Sequence, residues 1–279
     1  MLLLSCPDRP GIVAAVAGFI AEHGGNIVDA QQHTDPQDNV FFQRIEFDLA
    51  EMAIAPDELP AVFNRVANRF GMEVTFRLTA TRPRLAILVS RQAHCLHDLL
   101  SRWGSGELHA DVGLVVSNYP DHADLAGFFG VEYLYAPVTK ATKNEHERAI
   151  VNRLAASEVD VVVLARYMQV LSPEFVDRYV HRVINIHHSF LPAFAGGHPY
   201  RQAHERGVKL IGATAHYATA ELDQGPIIEQ EVVRVSHRDS VEDLVRKGRD
   251  LEKLVLARGV RLHTEHRVLP YRNRTIVFA

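Results

Sequence analysis

The chain has few cysteines and lacks long apolar runs. Cys6 and Cys95 are the only cysteines among 279 residues, and they belong to no paired motif. Their number and spacing exclude a disulfide framework and a cysteine zinc site, and are typical of a reducing cytosol. No run reaches the roughly 18 apolar residues that a membrane-spanning helix needs. Asp8 and Arg9 interrupt the apolar start too soon for a secretory signal. We therefore predict a cytoplasmic protein that does not enter a membrane.

An overall excess of positive charge is also missing. The chain has 30 Lys and Arg against 34 Asp and Glu, a net charge of −4, which argues against a general nucleic-acid-binding protein. The charge is unevenly distributed, because residues 234–279 contain 11 basic and 6 acidic side chains. A solvated helix face explains this basic segment, and electrostatic guidance of an anionic ligand is the alternative hypothesis.

Metal-binding motifs are absent although the chain contains 16 histidines. His146-Glu147 and His204-Glu205 both lack the second histidine of a His-Glu-x-x-His motif. We predict neither a bound metal nor a resident cofactor. The composition, 47% apolar and 23% charged, is that of a globular protein, and the length suggests about two domains.

The first 80 residues have the pattern of a small α+β domain. Two segments with apolar residues at helical spacing, residues 10–23 and 56–70, are each followed by glycine. Strands are predicted at Leu2–Ser5, Asn26–His33, Val40–Leu49 and Val74–Leu78. The resulting order, β-α-β-β-α-β, is the ferredoxin-like arrangement.

From Pro83 onward, apolar strands alternate with helices. The predicted strands are Leu85–Val89, Val112–Ser117, Glu132–Tyr135, Val161–Ala165, Val183–Ile186 and Leu210–Ala215. Such continuous runs of Val, Ile and Leu are typical of strands buried on both faces of a parallel sheet. Ser240 is a good N-cap for a final helix. We therefore predict an open, doubly wound, mostly parallel α/β sheet for residues 83–279.

Two strand ends carry side chains suited to chemistry at a carbonyl group. Asn185 and His187 are two residues apart, so they project to the same side of an extended strand. An amide can donate to a developing oxyanion, and an imidazole can transfer protons near neutral pH. Asp223 lies before the turn Gly225-Pro226, and a carboxylate there could orient His187. Taken alone, local backbone bonding of Asn185 and His187 and a solvated Asp223 are the simpler alternatives.

These residues resemble the site of a known enzyme family. The stretch Asn185-Ile186-His187-His188-Ser189-Phe190-Leu191-Pro192, with Asp223 in Glu-Leu-Asp-x-Gly-Pro, resembles the Asn/His/Asp site of folate-dependent formyltransferases. The resemblance implies that Asn185, His187 and Asp223 are catalytic and that 10-formyltetrahydrofolate is bound. It also implies contacts to the pterin from Met168, Gln169, Leu171, Ala218, Thr219, Ala220, Glu221 and Leu222. Ala195 and Gly196-Gly197-His198 depart from the lysine-bearing loop expected there, which puts a charge contact of that loop in doubt.

The N-terminus resembles a second family. The stretch Ser5–Val13 is similar to the opening of an ACT domain, which implies a regulatory or oligomerisation domain over residues 1–80, an amino-acid effector and a homo-oligomer. An ACT domain joined to a catalytic domain over residues 83–279 resembles the formyltetrahydrofolate deformylase family. That resemblance implies hydrolysis of 10-formyltetrahydrofolate to formate and tetrahydrofolate, with the formate supplying purine synthesis and the folate pools kept in balance.

The acceptor of the formyl group has to be inferred from another segment. An enzyme that transfers the formyl group to glycinamide ribonucleotide needs a glycine-rich turn that lets backbone N–H groups approach the acceptor phosphate. Residues 89–96 follow the first catalytic strand and contain no glycine, so we expect water to be the acceptor. Formyl transfer to glycinamide ribonucleotide, and an inactive folate or amino-acid sensor, remain the alternatives.

Overall fold

The chain divides into two compact units in the computed structural model, which describes residues 1–139, 141–191 and 199–278. The first unit comprises residues 1–81 and the end of the chain from Ile276, and the second comprises residues 82–275. Each unit contains its own cluster of buried hydrophobic side chains. None of the helices described combines the length and the apolar character required to cross a membrane.

The first unit is a four-stranded antiparallel sheet with two helices. Its elements are β1 (Leu2–Pro7), α1 (Ile12–Glu22), β2 (Asn26–Asp35), β3 (Val40–Asp48), α2 (Leu59–Phe70) and β4 (Glu73–Phe76). The strand order is β2-β3-β1-β4, with neighbours antiparallel, which confirms the predicted ferredoxin-like order. The helix α1 begins two residues later than predicted, because Gly11 adopts a left-handed conformation with φ 94° before the first turn.

The second unit is built on a seven-stranded sheet. Its elements are β5 (Arg84–Val89), α3 (His94–Gly104), β6 (Asp111–Ser117), α4 (Ala123–Phe128), β7 (Glu132–Tyr135), α5 (Lys143–Ala156), β8 (Val161–Ala165), α6 (Pro173–Arg178), β9 (Val183–His187), α7 (Pro199–Glu205), β10 (Leu210–Tyr217), β11 (Ile227–Arg234), α8 (Val241–Thr264), β12 (Val268–Tyr271) and the first two residues of β13 (Arg274–Val277). The sheet order is β11-β10-β9-β8-β5-β6-β7. The predicted mostly parallel α/β sheet is confirmed, because the five strands from β5 to β9 are mutually parallel.

The central strands have the burial expected of a sheet covered on both faces. In β5, Ile87 belongs to one buried cluster and its neighbour Leu88 belongs to another. Both side chains are 0% exposed, which explains the unbroken apolar run in the sequence. The predicted N-cap Ser240 is confirmed, and with Asp243 it forms a capping box at the start of α8.

The strand order creates a topological switch point between β5 and β8. After β5 the chain builds β6 and β7 on one side, and it then returns to build β8 and β9 on the other. Ligands of open α/β sheets bind beyond the carboxyl ends of strands at such a point. The segments that follow β5 and β8 are therefore the place to look for a binding site.

Candidate active site

Strands β9 and β10 bring three polar side chains to one side of the sheet. Asn185 and His187 alternate with buried Ile186 along β9. The antiparallel register places His216 opposite Asn185 and Thr214 opposite His187. Asn185 Nδ2 lies 3.1 Å from His216 Nε2, and His216 Nδ1–H donates to the carbonyl of Tyr217 at 3.0 Å. His216 therefore holds the amide of Asn185 from the neighbouring strand.

The loop between β10 and β11 supplies Asp223. Its tight path requires a glycine, because a Cβ at Gly225 would lie 1.8 Å from the carbonyl oxygen of Tyr217. Asp223 itself adopts a left-handed backbone with φ 56°, a conformation that glycine, asparagine and aspartate adopt more readily than other residues. The predicted turn thus brings the carboxylate back toward β9.

Asp223 contacts two imidazoles. His187 Nδ1–H donates to Asp223 Oδ2 at 3.2 Å, and His216 Nε2 lies 3.6 Å from Oδ1. The hydrogen bond from His187, followed by the contact with His216, holds the pKa of the Asp223 carboxyl well below its usual range. Asp223 is therefore ionised at neutral pH, and its contact with Nδ1 directs the other ring nitrogen of His187 away from it.

That second nitrogen is the notable feature of the site. His187 Nε2 is buried and has no hydrogen-bond partner within the described part of the chain. A buried polar atom without a partner costs about 1–3 kcal/mol, so native structures keep few of them. A ligand oxygen that accepted a hydrogen bond from Nε2 would remove this cost.

The three predicted catalytic residues line a cavity of about 640 Å³ at the carboxyl ends of the strands. Met168, Gln169 and Leu222 line the same cavity, as sequence analysis expected of a ligand site. Val170 lies beside them, and side chains of α8 form another wall. The mixture of apolar walls and a few converging polar groups is typical of small-molecule sites.

The remaining predicted substrate-binding residues lie elsewhere. Leu171 is buried in a core cluster, and Ala218 packs against the same cluster. Thr219, Ala220 and Glu221 belong to the loop that carries Asp223 but are not among the residues that line the cavity. Their contacts with a ligand therefore stay predictions. Ala195 and Gly196-Gly197-His198 lie outside the described residues.

The other end of the cavity holds a polar cluster that sequence analysis missed, and we call it the Arg166–Glu252 cluster. It consists of Gln92, Arg166, Tyr200 and Glu252, which line the cavity, and of His94, which contacts Glu252. Glu252 is 1% exposed. Its Oε2 lies 2.7 Å from His94 Nε2 and 3.4 Å from Arg166 Nε, and its Oε1 accepts from the Tyr200 hydroxyl at 2.7 Å. Arg166 Nε also donates to Gln92 Oε1 at 3.2 Å.

A hydrogen-bond donor and a positive charge keep Glu252 ionised. Desolvation opposes ionisation, but the hydrogen bond from His94 and the charge of Arg166 outweigh it and lower the pKa of Glu252. Tyr200 reaches the carboxylate only because residue 248 is glycine, since a Cβ there would lie 2.0 Å from the tyrosine hydroxyl. A glycine inside a helix was the one sequence signal that pointed to this close approach.

His188 links the two ends of the cavity. Its ring centroid lies 4.9 Å from that of His187 and 6.2 Å from that of Tyr200. Burial, followed by the positive charges of Arg166 and His187, lowers the pKa of His188 to about 4. The residue is therefore neutral at pH 7.

One group of described residues has the composition of a metal site. Donor atoms of His94, Cys95 and Glu252 lie within 4.8 Å of one another. However, burial raises the pKa of the Cys95 thiol, which disfavours the thiolate that a metal requires. The guanidinium of Arg166 also lies against Glu252 and would repel a cation. The group fits an ion-pair cluster better than a metal centre.

Family comparisons match both parts of the chain. Residues 83–260 match the formyl transferase family, and residues 1–55 match the ACT domain family. Over 278 residues, the chain is 53% identical to the formyltetrahydrofolate deformylase of Synechocystis sp., covering 100% of this chain and 98% of that protein. It is 41% identical to the formyltetrahydrofolate deformylase of Escherichia coli, covering 98% of this chain and 95% of that protein.

Solved structures distinguish two kinds of relative. A formyltetrahydrofolate deformylase from Pseudomonas syringae superposes with a TM-score of 0.97 at 48% identity, covering 100% of this chain and 93% of that one. The glycinamide ribonucleotide transformylase 1 of Symbiobacterium toebii superposes with a TM-score of 0.68 at 32% identity, covering 74% of this chain and 98% of that one. The similarity to the first protein extends over both units of the chain.

Proposed function

The chain belongs to the formyltetrahydrofolate deformylase family, and on this basis we propose that it hydrolyses 10-formyltetrahydrofolate to formate and tetrahydrofolate. The observation that carries the proposal is the meeting of Asn185, His187 and Asp223 at one cavity, with the Nε2 atom of His187 buried and unpartnered among the described residues. The full-length similarity to deformylases supports the same reaction.

Two donors converge where the formyl oxygen would lie. The hydrogen bond from Nδ1 to Asp223 orients the His187 ring, so that the imidazolium form presents Nε2–H to the oxygen. The Asn185 amide, held by His216, is the second donor. As water adds to the formyl carbon, the oxygen becomes an oxyanion, and fixed donors in a dry site stabilise that charge at no cost of reorganisation.

Asp223 has a second role, which is to position the attacking water. Its ionised carboxylate accepts a hydrogen bond from the attacking water. The new bond joins the water oxygen to the formyl carbon, and the bond that breaks joins that carbon to N10. N10 takes up one proton of the attacking water and leaves as the amine of tetrahydrofolate, and the carbon leaves as formate with release of the other proton.

The segment after β5 favours hydrolysis over transfer. Residues 90–93 contain no glycine, and two of their side chains are engaged in the fold. Arg91 lies over the ring of Tyr119 at 4.7 Å, and Gln92 accepts from Arg166. A phosphate cradle needs closely approachable backbone N–H groups, and these side chains obstruct that approach.

The finer assignments follow from the same family membership. We propose that the substrate-binding residues include Met168, Gln169 and Leu222, together with backbone of Leu171 and of the loop 218–221. We propose that residues 1–80 form a regulatory or oligomerisation domain that binds an amino-acid effector, and that the protein is a cytoplasmic homo-oligomer without a resident metal. The formate released would supply purine synthesis.

The direct test measures the two products with and without an amine acceptor. The protein is incubated with 10-formyltetrahydrofolate alone, and then with glycinamide ribonucleotide added. We expect equal amounts of formate and tetrahydrofolate in the first reaction and no formylated ribonucleotide in the second. Tetrahydrofolate that forms only when the acceptor is present would identify a transferase instead.

A further inference from the structure

The Arg166–Glu252 cluster lies at the switch point of the sheet, in the same cavity as the catalytic residues. Arg166 directly follows β8, and its backbone carbonyl accepts from the N–H of Ser90, which directly follows β5. The cluster is connected to His187 through the rings of His188 and Tyr200. It therefore occupies the part of the cavity where the segments after β5 and β8 meet.

We propose that Arg166, held by Glu252 and Gln92, fills the acceptor end of the cavity and thereby determines that water, rather than a phosphate-bearing amine, receives the formyl group. This inference rests on the proposed hydrolysis, and it assigns to these residues the choice of acceptor. It requires that the side chain be fixed in place and that its charge be unavailable to an incoming phosphate.

Contacts and burial fix the side chain. Arg166 is 9% exposed at its side chain, and its Nε lies within reach of both Gln92 Oε1 and Glu252 Oε2. Glu252 is itself held by His94 and by Tyr200. The side chain is thus held by a buried carboxylate that has partners on both of its oxygens.

The charges of the cluster disfavour an anionic acceptor. The charge of the Arg166 guanidinium is balanced by ionised Glu252, so the pair presents no net positive charge to a phosphate group. The carboxylate of Glu252 would itself repel that group. Water is small and uncharged, so it neither requires a positive charge in order to bind nor is repelled by the Glu252 carboxylate.

The backbone of Arg166 supports a functional reason for the side chain. Its φ is 64°, a left-handed conformation that glycine adopts freely and that costs a residue with a Cβ free energy. Strained residues persist where the surrounding structure fixes them, and they cluster at functional sites. Arg166 differs from left-handed Glu158, His181 and His266 in that it lines the cavity, and this is why we assign its side chain a function there.

The test is the variant Arg166→Gly, assayed with 10-formyltetrahydrofolate and glycinamide ribonucleotide. The substitution removes the side chain and suits the left-handed backbone. It is combined with Glu252→Gln, so that no unpaired carboxylate is left to repel the phosphate, and R166G denotes this double variant. We expect R166G to form formylated ribonucleotide at a rate at least about tenfold above the background measured with the unmodified protein. We also expect glycinamide ribonucleotide to inhibit formate release by R166G at a concentration at least about tenfold lower.

The matched control is Arg249→Gly, which removes an exposed arginine that lines the same cavity from α8. R249G should form no formylated ribonucleotide. If R166G hydrolyses the formylfolate but neither binds nor formylates the ribonucleotide, the proposal is wrong. It is equally wrong if R249G gains transfer to the same extent as R166G.

Binding measurements keep the outcome independent of catalysis. If R166G loses hydrolysis, titration calorimetry with glycinamide ribonucleotide still tests the proposal. Binding by R166G and none by the unmodified protein would support it. No binding by either protein would overturn it. Arg166→Asn, which also tolerates the left-handed region, replaces R166G if that variant does not fold. Formate release by the unmodified protein without acceptor tests the proposed hydrolysis separately.

Discussion

The two ends of the cavity are built from similar parts and differ in how completely their polar groups are paired. Each end contains an ionised carboxylate, Asp223 or Glu252, and each contains a residue with left-handed backbone, Asp223 or Arg166. Both oxygens of Glu252 have partners within hydrogen-bond distance. In contrast, His187 Nε2 has none among the described residues.

This difference in pairing distinguishes the end of the cavity that reacts with the substrate from the end that only limits what can bind. A fully paired buried network is rigid and offers little to a ligand, whereas an unpaired donor gains most from one. We therefore assign the chemistry to the end that contains His187 and the choice of acceptor to the end that contains Arg166. Substitutions at the first end should change kcat, and substitutions at the second should change stability and acceptor use.

The largest effect is expected for Asp223→Asn. An amide carries no charge and cannot orient His187 or hold the attacking water as the carboxylate does, so kcat for formate release should fall by about 10⁴-fold. Asp250→Asn, at an exposed ion pair with Lys253, is the matched control and should retain its activity. Steady-state formate release measures both, and an Asp223→Asn enzyme with near-normal kcat would remove Asp223 from the mechanism.

Asn185→Ala tests the second oxyanion donor. Loss of one such donor should lower kcat by about 10²–10³-fold with little change in KM, because the lost bond forms mainly in the transition state. Asn152→Ala, at an exposed position of α5, should have no effect. A rise in KM at constant kcat would instead assign Asn185 to uniform substrate binding.

The residue between the two ends, His188, should make stability depend on pH. Its pKa is lowered to about 4 in the folded protein, and the unfolded chain takes up the proton near pH 6.5. Stability is therefore fully present above pH 6.5 and is lost as the pH falls toward 4, by about 3 kcal/mol in total. Arg166 and His187 lower this pKa, whereas Glu252 and Asp223 oppose them.

Urea unfolding at a series of pH values measures this loss. His188→Gln should flatten the slope between pH 6.5 and 4, although the lowered pKa values of His146 and His181 leave a residual slope of the same sign. An unchanged slope in the variant would show that His188 carries no such linkage.

Gly248→Ala should give the smallest effect and should act at the paired end alone. The added methyl group would displace Tyr200 from Glu252, which should destabilise the second unit by about 1–3 kcal/mol. Trp103, the single tryptophan of the chain, lies in α3 and reports the unfolding of this unit by fluorescence. Gly127→Ala, where a Cβ would meet nothing within 4 Å, is the control and should be neutral or slightly stabilising. Equal unfolding midpoints for the two variants would contradict the close approach of Tyr200.

The sequence allowed the fold to be predicted where local pattern decides the structure. Continuous apolar runs predicted β5, β6 and β8, and the N-cap Ser240 marked the start of α8. The antiparallel strand β11 was missed, because Ile227–Arg234 mixes charged and apolar residues on an exposed strand near the sheet edge. The hairpin of β12 and β13 was missed because each strand has only four residues.

The same limit applies to the site. Asn185, His187 and Asp223 could be proposed because a residue spacing and a turn motif connect them. The Arg166–Glu252 cluster could not, because Glu252 and Arg166 come from a helix and a strand end far apart in the chain, and their meeting depends on how α8 packs against the sheet. The contact of His216 with Asn185 could not be predicted either, because it depends on the register of β10 against β9, which the periodicity of the sequence does not provide.

The left-handed residues have a consequence for protein engineering. Replacing non-glycine residues of positive φ by glycine relieves backbone strain and is one way to raise thermal stability, and this chain offers such positions at Glu158, His181 and His266 as well as at Arg166 and Asp223. The first three lie outside the residues that line the cavity and are suitable targets. At Arg166 and Asp223, glycine would relieve the backbone but would remove side chains that we assign to acceptor choice and to turnover. Mutant libraries that are selected for thermal stability should therefore keep these two residues unchanged.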